Sequence, residues 1–458
     1  MTARSGERAQ FAASLHDMLA DAEVPAAARR WAAGDRAPGL AVWRGLAALG
    51  VTALAVPEHD GGLGASFADV AVACEELGHH AVPGPVAESV AAVPVLLAAL
   101  PADPALAAPA AGDLATGELT GGDLTPGDLS GGDLATGGFA GGDLAAEDLA
   151  GGDLPARGWP APWLAGLAAG ELLATAAMPP WLPWAVDAGA AGLVLLAAGH
   201  TVRLAAPGAR YRSVDPGRSL SQVTGGQVLA RGPLVAGAIA RALNAGTLAC
   251  AAQLLGAGRA MLDASVLHAG QRTQFGRPIG AFQAVKHQLA DVAIGLEFAG
   301  PLLDAAAAAL DGNGEHAARD VSAAKVACTE AARRAARTAL QVHGAIGYTE
   351  EHDLHLWLLK VRALAGAWGS QAEHRARVMA AISAPADGAG RQPSVDQPTA
   401  RQPTAARHPA VDPPTAGQPA AGQPTTGQPG GGYPVTGQPA AGQPPAERPA
   451  TAGEPAWN

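Results

Sequence analysis

The sequence predicts a mainly α-helical protein with a small β middle domain, and three observations carry that prediction. Apolar residues at Phe282, Val285, Leu289, Val292 and Leu296 recur at the three-and-four spacing that lays one stripe along a helix. Two further helix-compatible runs cover residues 320–342 and 352–368. Strand candidates are short and confined to one stretch, at residues 193–196, 201–204 and 214–223.

Residues 9–47 open the chain with helix-compatible runs that set Phe11, Leu15, Met18 and Leu19 on one face. The loop Pro57-Glu58-His59-Asp60-Gly61-Gly62-Leu63-Gly64 then leads to Ser66, a residue suited to cap a helix over residues 67–77. From Asp113 to Asp153 the register is five residues, with one Leu or Phe per unit. That period suits a quadrilateral coil of pentapeptide repeats, with a flexible expansion within a loop as the favoured alternative. Glycine before most of the acidic residues raises the cost of ordering a coil. Residues 163–177 form the apolar, alanine-rich run WLAGLAAGELLATAA. After Ser383 the chain is rich in Pro, Gly and Gln without apolar periodicity, a composition that predicts disorder. The expected divisions are an N-terminal helical domain (1–110), a low-complexity insertion (111–157), a small β middle domain (158–235), a C-terminal helical domain (236–384) and a disordered tail (385–458).

Composition narrows the function classes. A net charge of −11 without a basic cluster argues against nucleic acid as a partner. Cys74, Cys250 and Cys328 are few, odd in number and scattered without metal-ligand spacing, so a reduced compartment and no metal are expected. The N-terminus lacks the apolar core of a signal peptide, and no window offers about 20 uninterrupted apolar residues. A soluble, cytoplasmic protein without a membrane span is the expectation.

Two motifs stand out, Gln271-Arg272-Thr273-Gln274-Phe275-Gly276-Arg277-Pro278-Ile279 and Gln341-Val342-His343-Gly344-Ala345-Ile346-Gly347-Tyr348. The guanidinium of Arg272 is a fixed-charge fork suited to a pyrophosphate, and glycines permit close backbone approach to a ligand. The runs QRTQFGRPIGAFQAVKHQLADV and QVHGAIGYTEEHDLHLW resemble family-specific stretches in the C-terminal four-helix domain of the acyl-CoA dehydrogenase family. The likeness extends more weakly over residues 46–93 and 163–223, where the loop at 57–64 resembles one packed near the family's acyl-chain site.

The resemblance implies FAD as cofactor and an acyl-CoA substrate, from fatty-acid or sterol side-chain catabolism. It also implies an electron-transfer acceptor and a homo- or hetero-oligomer whose dinucleotide lies at a subunit boundary. It places Arg272, Gln274, Phe275 and Gln283 against that dinucleotide, and Gln341, Gly344 and Gly347 against its adenosine half. Two departures are visible. Ala345 stands where the family has the second glycine of a pair. Where a typical member offers Thr or Ser and backbone amides to the flavin ring, this chain reads Pro179-Pro180-Trp181-Leu182-Pro183-Trp184, and proline has no amide proton to give.

The implied reaction is α,β-dehydrogenation, in which a carboxylate removes the α proton. By spacing, the family's glutamate falls on Trp368, and its other location, about seven helical turns before Arg272, falls near Gly246. Neither is a carboxylate. Glu373, Asp263 and Glu297 read as exposed helical charges, His343 and His355 as packing or surface residues, and Asp353 as support for the helix that follows. The catalytic residue is unassigned. Two expectations follow: a dehydrogenase whose base is some other carboxylate, or a noncatalytic partner subunit that completes the flavin site of a paralogous dehydrogenase.

Overall fold

The computed structural model describes residues 2–100 and 160–383; the five-residue repeat and the tail after Ser383 lie outside the described residues. Helices α1 (Thr2–Asp21), α2 (Val24–Ala32), α3 (Ala37–Ala48), α4 (Phe67–His79) and α5 (Val93–Ala98) come first, with a π-helical turn at Glu88–Ala92 leading directly into α5. Next is α6 (Ala161–Ala168), and then strands β1 (Ala174–Ala177), β2 (Ala185–Val186), β3 (Leu193–Ala198), β4 (Thr201–Arg212) and β5 (Ser219–Arg231). The C-terminal part holds α7 (Pro233–Gln271), a small hairpin of β6 (Thr273–Gln274) and β7 (Arg277–Pro278), α8 (Gln283–Asp311), α9 (Ala317–His343), α10 (Leu354–Leu364) and α11 (Gln371–Ser383).

Helix α7 is the axis of the core. It is buried almost without a break from Ala242 to Gly258, a stretch dominated by Ala, Gly and Leu, and it packs on α4, α8, α9 and α10. Small residues let these helices approach closely. A Cβ on Gly256 would lie 1.8 Å from the Glu75 carbonyl oxygen, and one on Gly78 would lie 2.2 Å from that of Gln253, so α4 and α7 touch backbone to backbone. Ser66 caps α4 as the sequence predicts. The Asp69 N–H donates to Ser66 Oγ (3.3 Å) while the Ser66 N–H donates to Asp69 Oδ2 (3.2 Å), the reciprocal pair of a capping box. Arg8 Nε donates to Asp69 Oδ1 (2.7 Å) and fastens α1 to the same cap. Leu15 and Leu19 are fully buried, whereas Phe11 and Met18 are half-buried at the edge of that face.

The middle sheet runs β1-β3-β4-β5-β2, parallel between β1 and β3 and antiparallel elsewhere. The Val186 N–H donates to Thr175 Oγ1 (3.0 Å), drawing the two edge strands toward each other. Ser89, on the π-turn, accepts from the Ala174 N–H (3.0 Å) and donates to the Ala174 carbonyl (2.7 Å), which ties the sheet to the N-terminal helices.

Three expectations need correction. The strand expected at 214–223 begins only at Ser219, because Asp215 Oδ1 accepts from the Gly217 N–H (2.9 Å) and holds the preceding residues in a turn. The helix expected over 352–368 is α10, and it stops at Leu364; the chain then reverses through Trp368 (φ 59°) and Gly369 (φ 93°). Asp353 begins α10 as expected, and its carboxylate, which makes no bond to the helix end, pairs with Arg29 on α2. The stripe on α8 is buried at Val292 and Leu296 and only half-buried at Phe282, Val285 and Leu289.

The expectation that no segment could cross a membrane also needs qualifying by length and composition. Helices α7 and α8 are both long and apolar enough to span one, although the most apolar window of α7 is 67% buried inside the protein and that of α8 is 33% buried. Burial in the protein core accounts for α7. Helix α8 instead presents Ile294 (54% exposed), Phe298 (75%) and Leu302 (43%) at four-residue spacing along one outer face.

The α4–α7 crossing makes a direct prediction. Gly256→Ala forces a methyl group into the Glu75 backbone and lowers stability by about 1–3 kcal/mol or more. Urea unfolding measures it, and an unchanged midpoint would contradict the crossing.

Candidate functional site

The first motif forms a hairpin. Phe275 (φ 52°) and Gly276 (φ 75°) are both left-handed, the signature of a two-residue turn that matches strand twist. The Arg272 N–H donates to the His268 carbonyl at the end of α7, and the Ile279 N–H donates to the Arg272 carbonyl, both at 2.8 Å, so the backbone of Arg272 anchors the hairpin while its side chain is exposed. Phe275, 91% exposed, stands at the tip with its ring 6.2 Å from that of Phe282. The Arg277 guanidinium lies 4.1 Å above the Phe282 ring, a cation–π contact that braces the hairpin against the start of α8.

Gln274, Phe275 and Gln341 line one groove of about 380 Å³, together with Ile279, Phe282 and Gln288. Ile279 closes the motif and Phe282 opens the apolar stripe, so sequence reasoning named both without giving them a site role, and it missed Gln288. Gln283 is exposed at the first residue of α8 and does not line the groove. Gly344 ends α9 with φ 65°, a conformation suited to glycine. Gly347 is buried, and what crowds it is the protein itself: a Cβ there would meet His343 and Leu354 at 3.2 Å and Leu340 at 3.3 Å. His343 stacks on His268 and its Nδ1 pairs with the Ala339 carbonyl (2.8 Å), while His355 Nδ1 pairs with the His352 carbonyl (2.8 Å).

The two positions at which the resemblance places a base meet each other. The Trp368 indole is fully buried, and a Cβ on Gly246 would lie 2.2 Å from its Cη2. The ring therefore occupies the volume above the bare backbone of α7. Its loop is firmly held. The Trp368 carbonyl accepts from His374 Nε2 (2.8 Å), whose Nδ1 pairs with Ser322 Oγ (3.1 Å), and burial drives the His374 imidazole down to about 4. Outside lies Trp181, whose ring would be 2.4 Å from a Cβ on Gly369 and whose carbonyl accepts the Gly369 N–H (3.1 Å).

Beside the indole lies Glu88, 2% exposed on the π-turn. Burial pushes its carboxyl above the ordinary 4.5, opposed by the Arg218 charge and by the neighbouring Trp368 N–H. Glu88 Oε1 and Trp368 Nε1 are buried without a closed hydrogen bond. The three carboxylates near these motifs in sequence sit elsewhere. Glu373 is exposed and caps α11 by accepting the Ser370 N–H (2.6 Å), Asp263 is exposed near His79, and Glu297 is exposed.

FAD, implied by the resemblance, fits one end of this arrangement. The groove at the hairpin offers amide side chains and two aromatic rings beside an exposed guanidinium, chemistry suited to a diphosphate and an adenine. The other end does not fit a flavin ring. Met178 and Leu182 spend their amides on each other (Met178 N–H to Leu182 carbonyl 2.6 Å, the reverse 2.9 Å), and the residues between them include two prolines.

Comparison with known proteins places this geometry. The acyl-CoA dehydrogenase N-terminal domain profile matches residues 5–100, and the acyl-CoA dehydrogenase C-terminal domain profile matches residues 236–383, together more than half of the chain. The chain is 29% identical over 366 residues to acyl-CoA dehydrogenase IpdE2 of Mycobacterium tuberculosis, covering 78% of this chain and 92% of that protein. Among solved structures it resembles butyryl-CoA dehydrogenase of Megasphaera elsdenii (TM-score 0.58, 18% identity, 82% of this chain and 97% of that one). It also resembles the ChsE4–ChsE5 complex of Mycobacterium tuberculosis (TM-score 0.59, 21% identity, 82% and 97%). With helical regions on both sides of a small sheet, and both terminal domain profiles matched in order, this chain belongs to the acyl-CoA dehydrogenase family.

Proposed function

We propose that this chain works in FAD-dependent α,β-dehydrogenation of an acyl-CoA thioester as the partner subunit of a hetero-oligomer. In this reading it completes the dinucleotide site of a catalytic paralogue. The single observation that carries this is the indole of Trp368 packed on Gly246, which leaves no carboxylate at either position where the family resemblance puts the base. The flavin, when bound to the assembly, supplies the hydride acceptor. This chain's own contribution is Arg272 toward the diphosphate, with Gln274, Phe275 and Gln283 beside it, and Gln341, Gly344 and Gly347 toward the adenosine half; Gln274, Phe275 and Gln341 share one groove. The exposed apolar stripe of Ile294, Phe298 and Leu302 on α8 suits burial against another subunit. The divisions at 1–110, 111–157, 158–235, 236–384 and 385–458, and a cytoplasmic setting, belong to the same proposal. One relative in the comparison is itself a complex of two differently named chains, ChsE4 and ChsE5.

A second reading rests on Glu88. Buried, with a carboxyl pushed upward and lying against the indole, it has the character of a general base, and it would make the chain a dehydrogenase in its own right. The visible spectrum separates the two. The partner reading predicts a colourless protein when the chain is purified alone, and a yellow complex when it is produced with a dehydrogenase carrying the glutamate. A yellow protein alone, bleached by an acyl-CoA, supports the Glu88 reading. In the yellow complex, Arg272→Ala weakens flavin retention by about 10- to 100-fold, as expected when a charged group loses about 1.5–3 kcal/mol of hydrogen bonding. Equal retention by the variant would contradict the assigned role of Arg272.

The raised Glu88 carboxyl also fixes a pH dependence. The folded state holds this proton more tightly than the unfolded chain, so its stabilising contribution is complete below 4.5 and is lost as pH rises through the raised folded value. Glu88→Gln removes that loss, so the variant gains stability relative to the parent as pH rises above 4.5. Urea titrations across the range measure this, and a constant difference would contradict it.

A further inference from the structure

We propose that His16, Glu76, His79 and His80 form a binding site for one divalent transition metal of the Zn²⁺ type, joining α1 to the C-terminal end of α4. This site is independent of the flavin reading. One ligand atom from each of the four lies within 4.8 Å of the others. Two edges of the set are already short, His16 Nδ1 to Glu76 Oε2 and His16 Nδ1 to His80 Nε2, both 3.1 Å. A tetrahedron built on Zn–N and Zn–O bonds of about 2.0–2.1 Å has edges of about 3.3 Å, so the two short edges already match it and the wider ones, up to 4.8 Å, must draw in to close on an ion.

Hydrogen bonding alone does not satisfy these atoms. His16 Nδ1 carries at most one proton, yet it faces both a carboxylate oxygen and a second imidazole nitrogen at the same distance. His79 Nδ1 is buried with no partner, while its Nε2 lies 3.4 Å from Asp263 Oδ2 on α7. That is the arrangement in which a metal-bound histidine is oriented by an outer carboxylate. The three rings form a triangle with centroids 4.6–5.2 Å apart, a grouping that repels when protonated and is favourable when neutral around a cation.

Helical spacing explains how three ligands come from one short segment. Glu76 and His79 are three residues apart and Glu76 and His80 four apart, so all three face one side as α4 ends, while His16 arrives from α1. Three imidazoles and one carboxylate suit a borderline ion such as Zn²⁺ rather than Ca²⁺ or Mg²⁺, which favour oxygen. Four protein ligands make it a closed, structural site. The Trp357 indole N–H donates to the His79 carbonyl (2.8 Å), so a bound ion would stiffen the seam where α1, α4, α7 and α10 meet. Cysteine spacing, the usual sequence signal, does not see this site, because His16 is distant in sequence from the other three.

The test is titration of Zn²⁺ into the full chain after chelator treatment, in competition with a chromophoric chelator. The proposal predicts one tight equivalent, a higher unfolding temperature with Zn²⁺, and the visible absorption of tetrahedral Co²⁺ when cobalt is the probe. Affinity should fall at least about 100-fold in a His79→Ala/His80→Ala double variant and about tenfold or more in His16→Ala, whose residue lies on a half-exposed face. Circular dichroism checks that each variant is folded, and His16→Ala keeps the test valid if the double variant is not. Absence of a tight equivalent in the parent chain, or one that survives both sets of substitutions, overturns the proposal. The latter would direct attention to the separate stack of His268, His343 and His352.

Discussion

The Trp368 indole and the bare backbone of Gly246 share one volume, and most of what distinguishes this chain follows from that contact. An indole of this size fits against α7 only where the helix has no side chain, so each residue presupposes the other. Substituting either alone leaves a clash or a large cavity, and a buried Trp replaced by Ala costs about 3–5 kcal/mol. The left-handed backbone at Trp368, unfavourable for a bulky residue, persists because Gly369, His374 and Trp181 hold the turn from both sides.

This divides the molecule into a part that is closed and a part that is open. The closed part lies between the middle sheet and α7, where Trp181 and Trp368 fill space and the Met178–Leu182 amides bond to each other. The open part is the far end of the bundle, with Phe275, Arg272 and Gln341 presented to solvent and an apolar stripe along α8. A single chain gains nothing by exposing Phe275 and Phe298 at 91% and 75%. An assembly that shares a dinucleotide across a subunit boundary gives both features a purpose.

Much of the fold was legible in the sequence, for physical reasons. The helices of the bundle declare themselves by apolar spacing, and the Ser66 cap by its residue type ahead of a helical run, whereas the reciprocal bond from Asp69 is seen only in the fold. The motif at 271–279 was noticed for its arginine and its family likeness, but its hairpin, with left-handed Phe275 and Gly276 at the turn, is seen only in the fold. Less visible were features that depend on distant partners. Nothing local marks Glu88 as buried, and the start of β5 moved because an Asx turn at Asp215 outweighed apolar content. Asp353 looked like a helix support, yet its partner, Arg29, comes from the opposite end of the chain. The coincidence of Trp368 with Gly246 was half legible: spacing brought both positions to notice as lacking a carboxylate, but only the fold shows that one fills the space left by the other.

The most direct measurement is the flavin content of the purified hetero-assembly, determined against the amount of each polypeptide. A chain that lends its hairpin but holds no ring of its own predicts about one flavin for every two polypeptides in an equimolar complex. One flavin for every polypeptide would mean that the closed region binds a ring after all, and would contradict the account.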